Sequence, residues 1–183
     1  MGMERSIVFV ALFAALIAAL GYIPLINLPM GVPITAQSLG VMLCGTVLGA
    51  KRGALAALLF VVLVFAGLPL LSGARGGIDL LFTPSGGFLL GWPVGAFVTG
   101  LIVEKWRNTP IAVVATLASV IGGIVVIYIF GIAGLVINSK MSVLAATLGV
   151  TPFIPGDVIK AVLAGVFTGA LLKARPQSVF ARQ

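Results

Sequence analysis

Two ionisable residues of this sequence, Asp157 and Lys160, stand three positions apart in an otherwise apolar stretch that reads PGDVIK over 155–160. On a helix this spacing places the carboxylate and the ammonium group on one face. A charged side chain at the centre of a membrane helix costs about 2.5–3.5 kcal/mol on insertion scales, so such residues need partners. The two can neutralise each other as an ion pair, with the acid also capping the first turn, or they can line a polar ligand pocket. We favour the pocket, for which the ion pair can be the empty state.

A second polar segment is rich in glycine and reads SGARGG over 72–77 and TPSGGF over 83–88. Glycines at this density permit positive φ angles and a close approach of the backbone to a ligand. The hydroxyl groups of Thr83 and Ser85 can donate or accept hydrogen bonds, and the guanidinium fork of Arg75 can meet an anion. A flexible connecting turn is the alternative interpretation. The candidate ligand-binding residues of this segment are Arg75, Thr83, Ser85 and Gly86.

A smaller polar set follows Pro33 and consists of Thr35 and Gln37. These residues either contact the ligand or cap the start of a helix, and the sequence favours neither interpretation over the other.

The composition is typical of a membrane protein. Of 183 residues 61% are hydrophobic and 8% are charged, and the mean hydropathy is +1.27. Soluble domains carry roughly 25% charged residues, so a soluble globular class is excluded. The sequence therefore predicts one membrane domain over residues 1–183.

The residues that are present exclude several kinds of enzyme. Histidine is absent, and the only acids are Glu4, Asp79, Glu104 and Asp157. A Ser-His-Asp triad or a histidine-ligated metal site cannot be assembled from this set, and no GxxxxGK[ST] phosphate loop occurs. We therefore expect a protein that is not an enzyme, needs no metal or cofactor, and cannot hydrolyse ATP by itself.

Apolar runs separated by proline, glycine and charge predict an all-α integral membrane protein, a bundle of six transmembrane helices. The predicted spans cover about 6–23, 34–50, 53–71, 85–103, 110–137 and 155–172. At about 1.5 Å per residue the fifth run is longer than a hydrocarbon core requires. We expect it to be tilted, kinked near Gly131 and Gly134, or partly interfacial. Residues 141–154 are expected to form a short outer element.

The basic residues indicate how these spans are oriented. Under six-span alternation most of the 11 Lys and Arg fall on one side: Arg5, Lys51, Arg52, Lys105, Arg107, Lys173, Arg175 and Arg182. The positive-inside rule makes this side cytoplasmic, so both termini are predicted to be cytoplasmic in a multi-pass protein of a prokaryotic cytoplasmic membrane. Nucleic-acid binding is disfavoured, because the charges are dispersed in short turns. Function should concentrate on the outer face, where the connecting segments are long and polar.

Small residues recur at helical spacing in two spans. The first span carries a stripe of Ala11, Ala15 and Ala19 with Ala14 and Ala18 beside it, and the fourth span carries Gly87, Gly91 and Gly95. Such ridges let helices approach closely, either within one bundle or against a partner.

Several blocks occur in a recognisable order: PITAQSLG over 33–40, GLP over 67–69, TPSGGF over 83–88, and PGD over 155–157 with Lys160. Together with the alanine-rich first span they cover almost the entire chain, and on them the sequence resembles the BioY family, the biotin-binding S components of energy-coupling factor (ECF) transporters. The resemblance implies a six-helix bundle of the ECF S-component type that binds biotin from outside. It also implies two kinds of partner, a transmembrane T component and two ABC-type ATPases. The T component would then meet the first span at Ala11, Ala14, Ala15 and Ala18.

Biotin suits the predicted site chemically. Its ureido N–H groups can donate to Asp157, its apolar bicycle and chain suit a cavity lined by Leu, Phe and Val, and its carboxylate needs a cation. Some relatives carry a basic residue where this chain has Leu89, so Arg75 or Lys160 would take that role here. Two rival functions stay open, an S component for another vitamin and a solitary proton-coupled carrier with Asp157 as its proton site.

Overall fold

The computed structural model describes residues 3–28 and 31–182, and within these ranges it is all-helical, as the sequence predicts. The longer elements are α1 (Met3–Leu20), α2 (Gln37–Leu48), α3 (Ala50–Phe65), α4 (Gly86–Lys105), α5 (Ile111–Val120), α6 (Ile127–Ser139), α7 (Val143–Gly149) and α8 (Ile154–Ala174). Single turns of 3₁₀ helix cover Ile78–Phe82, Thr151–Phe153, Pro176–Ser178 and Phe180–Arg182. Each of the six predicted apolar runs contains a helix. The expected short element after the fifth run is confirmed as α7.

The third helix is shorter than its apolar run. Helix α3 ends at Phe65, whereas the predicted span extends to about residue 71. Gly67 follows with a φ of +106°, a left-handed conformation that favours glycine, and Pro69 comes two residues later. The residues after Phe65 are thereby released from the helix and become part of the loop that carries Arg75.

The fifth apolar run is one continuous helical element over Ile111–Ser139. Helix α6 continues without interruption through Gly131 and Gly134, where the sequence allowed a kink. The irregular part of the Ile111–Ser139 element lies earlier, in a π-helical segment over Ile121–Val126 that joins α5 to α6. Such π segments are rare and often occur at functional sites, and this one contains Gly123, which borders the cavity described below.

Glycines of α4 let the neighbouring helix approach. A Cβ atom added to Gly91 would lie 2.9 Å from the Cβ of Phe130, and one added to Gly95 would lie 2.7 Å from the carbonyl oxygen of Gly122. Real Cβ atoms do not come this close to other atoms, so the glycine ridge predicted in the fourth span packs inside the bundle.

Within the part of the chain that the structure describes, three helical runs are long and apolar enough to cross a membrane, Gly86–Lys105, Ile111–Ser139 and Val143–Ala174, and Gln37–Leu48 is a shorter apolar helix. The exposed surface of these helices is rich in large aliphatic and aromatic side chains, as expected where lipid is the solvent. The chain is therefore a membrane protein.

Basic residues gather at one end of the bundle. Arg5 donates from Nη2 to the carbonyl of Gln177 at 3.1 Å, which joins the start of α1 to the C-terminal segment. Arg52 donates from Nε to the hydroxyl of Ser6 at 3.2 Å, which joins the first turn of α3 to α1. The N-terminal helix, this turn and the C-terminal segment thus meet at one place.

The C-terminal segment is anchored at this end by Phe180, which is buried. Its ring lies edge-on to Phe9 at 4.7 Å between centroids. The guanidinium carbons of Arg5 and Arg52 lie 5.5 and 5.1 Å from its centroid, which is within cation–π distance. The last residues described therefore close one end of the bundle, and Asp157 and Lys160 lie toward the other.

Candidate ligand-binding site

Asp157 and Lys160 form the ion pair that their spacing predicts. They stand in the first two turns of α8, and Lys160 Nζ lies 2.8 Å from Asp157 Oδ1. The two side chains are only 8% and 14% exposed. A pair so deeply buried is held in a low-dielectric environment, where each charge depends on its hydrogen-bond partners.

The ammonium group of Lys160 has no donor left for another partner. Besides Asp157, it donates to the backbone carbonyl of Thr35 at 2.6 Å and to the hydroxyl of Ser38 at 3.0 Å. An ammonium group carries three N–H donors, and these three contacts use all of them. Lys160 therefore ties α8 to the start of α2.

The carboxylate of Asp157 accepts from two further groups. Ser38 donates to Oδ1 at 3.2 Å, and the phenol of Tyr128 donates to Oδ2 at 2.8 Å. A carboxylate offers about four lone-pair positions, so three donors leave acceptor capacity on Oδ2. Asp157 can thus accept a hydrogen bond from a ligand without losing its protein partners.

A cavity of about 620 Å³, with its mouth onto solvent included, lies against this cluster. Its walls are mainly apolar and aromatic, with a few polar groups: Val32, Pro33, Thr35, Gln37, Ser38, Leu71, Arg75, Ser85, Phe88, Leu89, Trp92, Gly123, Ile127, Tyr128, Phe153, Asp157 and Lys160. Apolar walls with few polar groups suit a ligand that is mostly hydrocarbon and has polar groups at defined positions.

Three aromatic rings form one wall of the cavity. The rings of Phe88 and Tyr128 meet edge-on at 6.4 Å between centroids, and Phe153 lies 6.1 Å from Phe88 and 6.4 Å from Tyr128. These distances are typical of favourable aromatic pairs. The wall also holds Tyr128 in place to donate to Asp157.

Arg75 is the cation of this site with the most unused donors. It is half-buried and lies on the cavity wall, and its Nε donates to the carbonyl of Ser72 at 3.2 Å. Among the described residues its four terminal N–H groups have no partner. Burial lowers the pKa of the Arg75 guanidinium, but arginine stays protonated at neutral pH.

Most of the site residues predicted from sequence meet at the cavity. Asp157, Lys160, Arg75, Thr35, Gln37 and Ser85 all border it. The hydroxyl of Ser85 is buried and has no hydrogen-bond partner within the part of the chain that the structure describes, so it is available to a ligand.

Thr83 and Gly86 lie outside the cavity lining. Thr83 donates from its hydroxyl to the carbonyl of Leu80 at 2.7 Å and so closes the 3₁₀ turn before α4. Gly86 is the first residue of α4 and packs against the backbone of Leu81, where a Cβ atom would collide. In the polar set after Pro33, Thr35 acts at the start of α2. Its hydroxyl accepts a hydrogen bond from the backbone N–H of Gln37 at 3.3 Å.

Ser38 and Tyr128 are not among the site residues predicted from the sequence. Ser38 adjoins Gln37 in the PITAQSLG block, and its position as the second residue of α2 was the available signal. Tyr128 lies inside an apolar run, where its hydroxyl needs a partner on burial. That requirement could have predicted that the Tyr128 hydroxyl has a hydrogen-bond partner. It could not have predicted that this partner is Asp157.

The alanine stripe of α1 is divided between two faces. Ala11 and Ala15 are exposed, whereas Ala14 is 4% exposed and belongs to the core, and Ala18 packs partly against it. Ala14 therefore cannot take part in the predicted partner interface, because it faces the bundle. An outward surface built on Ala11 and Ala15 remains a prediction.

The BioY family model matches residues 3–177. The chain belongs to the BioY family. The biotin transporter BioY of Rhodobacter capsulatus is 50% identical over 189 aligned positions, which cover 98% of this chain and 100% of the relative. The protein of the same name from Rhizobium etli is 51% identical over 94% of this chain and 95% of its own.

A solved structure shares the fold. The crystal structure of the S-component for biotin from an ECF-type ABC transporter matches with a TM-score of 0.88 and 30% identity, over 94% of this chain and 95% of that one. The two sequence relatives and this crystal structure each match nearly the whole length of this BioY-family chain.

Proposed function

We propose that this chain captures biotin and delivers it across the membrane as the substrate-binding S component of an ECF-type ABC transporter. The observation that carries the proposal is a cavity with apolar, aromatic walls that places one buried carboxylate and one arginine with unused donors on its lining. Biotin has a neutral ureido group, an apolar bicycle and a carboxylate, so each part of it has a chemical counterpart in this cavity. Membership of the BioY family supports the same conclusion, and it makes the chain a transporter component and not an enzyme.

Within this site each polar group has a proposed role. Asp157 accepts one ureido N–H group at the free capacity of Oδ2, and Ser85 supplies a further hydrogen bond near the bicycle. Arg75 neutralises the ligand carboxylate, because the three donors of Lys160 are already used within the protein. Lys160 then has a supporting role, since it holds Asp157 and the start of α2 in place. Thr35 contributes its backbone carbonyl to Lys160.

The membrane arrangement extends the proposal. Residues 1–183 form one domain with six crossings, and the basic end of the bundle with both termini is cytoplasmic. The cavity then opens on the outer side, from which biotin enters. A transmembrane T component, which contacts the exposed face of α1 at Ala11 and Ala15, and two ABC-type ATPases supply the energy.

Calorimetry with the purified protein tests the ligand directly. We expect biotin to bind, and we expect that thiamin or riboflavin does not compete with it for the site. Asp157→Ala should weaken biotin binding by roughly tenfold to a hundredfold, as expected for a charge-assisted hydrogen bond of about 1.5–3 kcal/mol. Asp79→Ala is the matched control, because Asp79 is an exposed acid outside the cavity lining.

Three results would contradict the proposal. An Asp157→Ala protein that is folded and binds biotin as the wild type does would refute the role of Asp157. Tighter binding of another vitamin would assign the cavity to that ligand, and proton-driven uptake by vesicles containing only this chain would favour the solitary carrier.

A further inference from the structure

The amide of Gln37 has no hydrogen-bonding capacity left for a ligand, although it borders the cavity. Its Nε2 donates to the carbonyls of Ile17 at 3.1 Å and Leu70 at 3.0 Å. Its Oε1 accepts from the backbone N–H of Ser72 at 3.0 Å and from the Ser72 hydroxyl at 3.2 Å. A primary amide offers two donors and two acceptor lone pairs, and all four are used in a residue with 0% exposure.

These four bonds join three separate parts of the chain. Ile17 lies in the last turn of α1, where carbonyl groups lack helical partners, so Gln37 satisfies one of them. Leu70 and Ser72 flank Leu71 in the loop after α3. Gln37 itself is the first residue of α2. One side chain thus fastens the loop to the ends of two helices.

The loop fastened in this way is the one that presents Arg75. Leu71 and Arg75 exchange two backbone hydrogen bonds, of 3.1 and 3.2 Å, and thereby close a tight turn. Within the turn Gly73 has a φ of +80° and Ala74 a φ of +55°. The Nε of Arg75 donates back to the carbonyl of Ser72. Gln37 therefore holds Leu70 and Ser72, the residues on both sides of Leu71. Because Leu71 pairs with Arg75, these bonds set the position of Arg75.

Gly21 leaves the space that this arrangement needs. A Cβ atom at Gly21 would lie 2.8 Å from the carbonyl oxygen of Leu70 and 2.9 Å from Gln37 Nε2. Both distances are shorter than real Cβ contacts, so the end of α1 meets the amide and the loop without room for a side chain.

We infer that Gln37 is a positioning residue, which sets the binding site's preference for a carboxylate by holding the Arg75 turn against α1, and that it makes no contact of its own with the ligand. This inference rests on the proposed function, because it takes Arg75 as the partner of the biotin carboxylate. It predicts that loss of Gln37 affects only that part of biotin which Arg75 meets.

A double-mutant cycle with two ligands tests the inference. Affinities for biotin and for the neutral biotin amide are measured by calorimetry for wild type, Gln37→Ala, Arg75→Ala and the double variant, with folding checked by thermal unfolding. We expect Arg75→Ala to weaken biotin binding by about tenfold to a hundredfold, and Gln37→Ala by about tenfold. Neither should change the affinity for biotin amide more than about twofold, and the double variant should bind biotin no more weakly than Arg75→Ala.

Two further variants keep the test decisive if Gln37→Ala does not fold. Ser72→Ala removes only the hydroxyl that donates to Gln37, so we expect a smaller loss in the same direction, about threefold for biotin and none for biotin amide. Asn138→Ala is the matched control. Its amide also donates to two backbone carbonyls, those of Leu81 and Thr83 at 2.9 Å, but it fastens a different segment. It should leave the preference for biotin over biotin amide unchanged.

The outcomes separate this inference from the proposed function. If Gln37→Ala or Ser72→Ala weakens both ligands equally, or if the effects of Gln37→Ala and Arg75→Ala are additive, the positioning role is overturned while biotin binding stands. A wild-type protein that does not bind biotin would overturn the proposed function, and this inference with it.

Discussion

Replacing Lys160 with methionine tests how strongly the site depends on its buried ion pair. Methionine has similar volume and no charge, so Lys160→Met keeps the packing of α8 but removes the three hydrogen bonds that Lys160 donates. Asp157 would remain a buried carboxylate without a counter-charge. Its bonds from Ser38 and Tyr128 would persist.

The expected loss of stability follows from the burial of the pair. Removing one member of a buried ion pair costs about 3–5 kcal/mol, because the remaining charge is left uncompensated. We expect about 3 kcal/mol here, at the lower end, since Lys160 retains 14% exposure and Asp157 keeps two donors. For a chain of this length that corresponds to a fall of about 6–12 °C in the thermal midpoint.

The assay compares Lys160→Met with Asp157→Asn and with the double variant, each purified in the same detergent. Asp157→Asn removes the other charge of the pair. The double variant carries no buried charge at this place, so it should recover most of the stability lost in Lys160→Met, to within about 1 kcal/mol of wild type. Biotin binding should not recover with it, because the ligand has lost the carboxylate of Asp157.

Two results would refute this reasoning. A Lys160→Met protein as stable as wild type would show that Asp157 does not rely on Lys160. A double variant that is no more stable than Lys160→Met would show that the lost contacts to Thr35 and Ser38, and not the uncompensated charge, account for the change.

Two other elements yield predictions with separate readouts. Phe180→Ala should lower the thermal midpoint by about 6–20 °C, because deleting a buried phenyl ring costs about 3–5 kcal/mol. Biotin affinity measured by calorimetry should stay unchanged, because the cavity lies at the other end of the bundle. Ala15→Trp should leave biotin binding intact but reduce co-purification with the T component, since a bulky residue on the exposed face holds a partner helix away. Ala14→Trp, one position along, should instead destabilise the isolated chain by overpacking its core; equal effects of the two tryptophans in both assays would contradict the assignment of their faces.

The fold class and much of the site could be predicted from the sequence because the signals are local. In lipid a continuous apolar run satisfies its backbone hydrogen bonds by forming a helix, so each of the six predicted runs contains a helix. The spacing of Asp157 and Lys160 predicted a shared face, since three residues make nearly one helical turn. Arg75 was notable in the sequence as a cation away from the basic side of the chain.

The roles of individual residues were decided by contacts between distant parts of the chain. Gln37 and Ser72 are 35 positions apart and Asp157 and Tyr128 are 29 apart, so neither hydrogen bond has a signature in local spacing. For the same reason Gln37 was a candidate ligand contact in the sequence, whereas the tertiary structure shows its amide fully used within the protein.

A helical period also cannot tell which neighbours surround a helix. Ala14 and Ala15 are adjacent and chemically identical, and the sequence placed both at one interface. The first faces the core and the second faces outward, because the packing of α1 against α2 and α3 sets its rotation. Composition and spacing thus determined that this chain is a helical membrane protein with charges at one site, and the packing of its helices decided which side chains are free to meet a ligand or a partner.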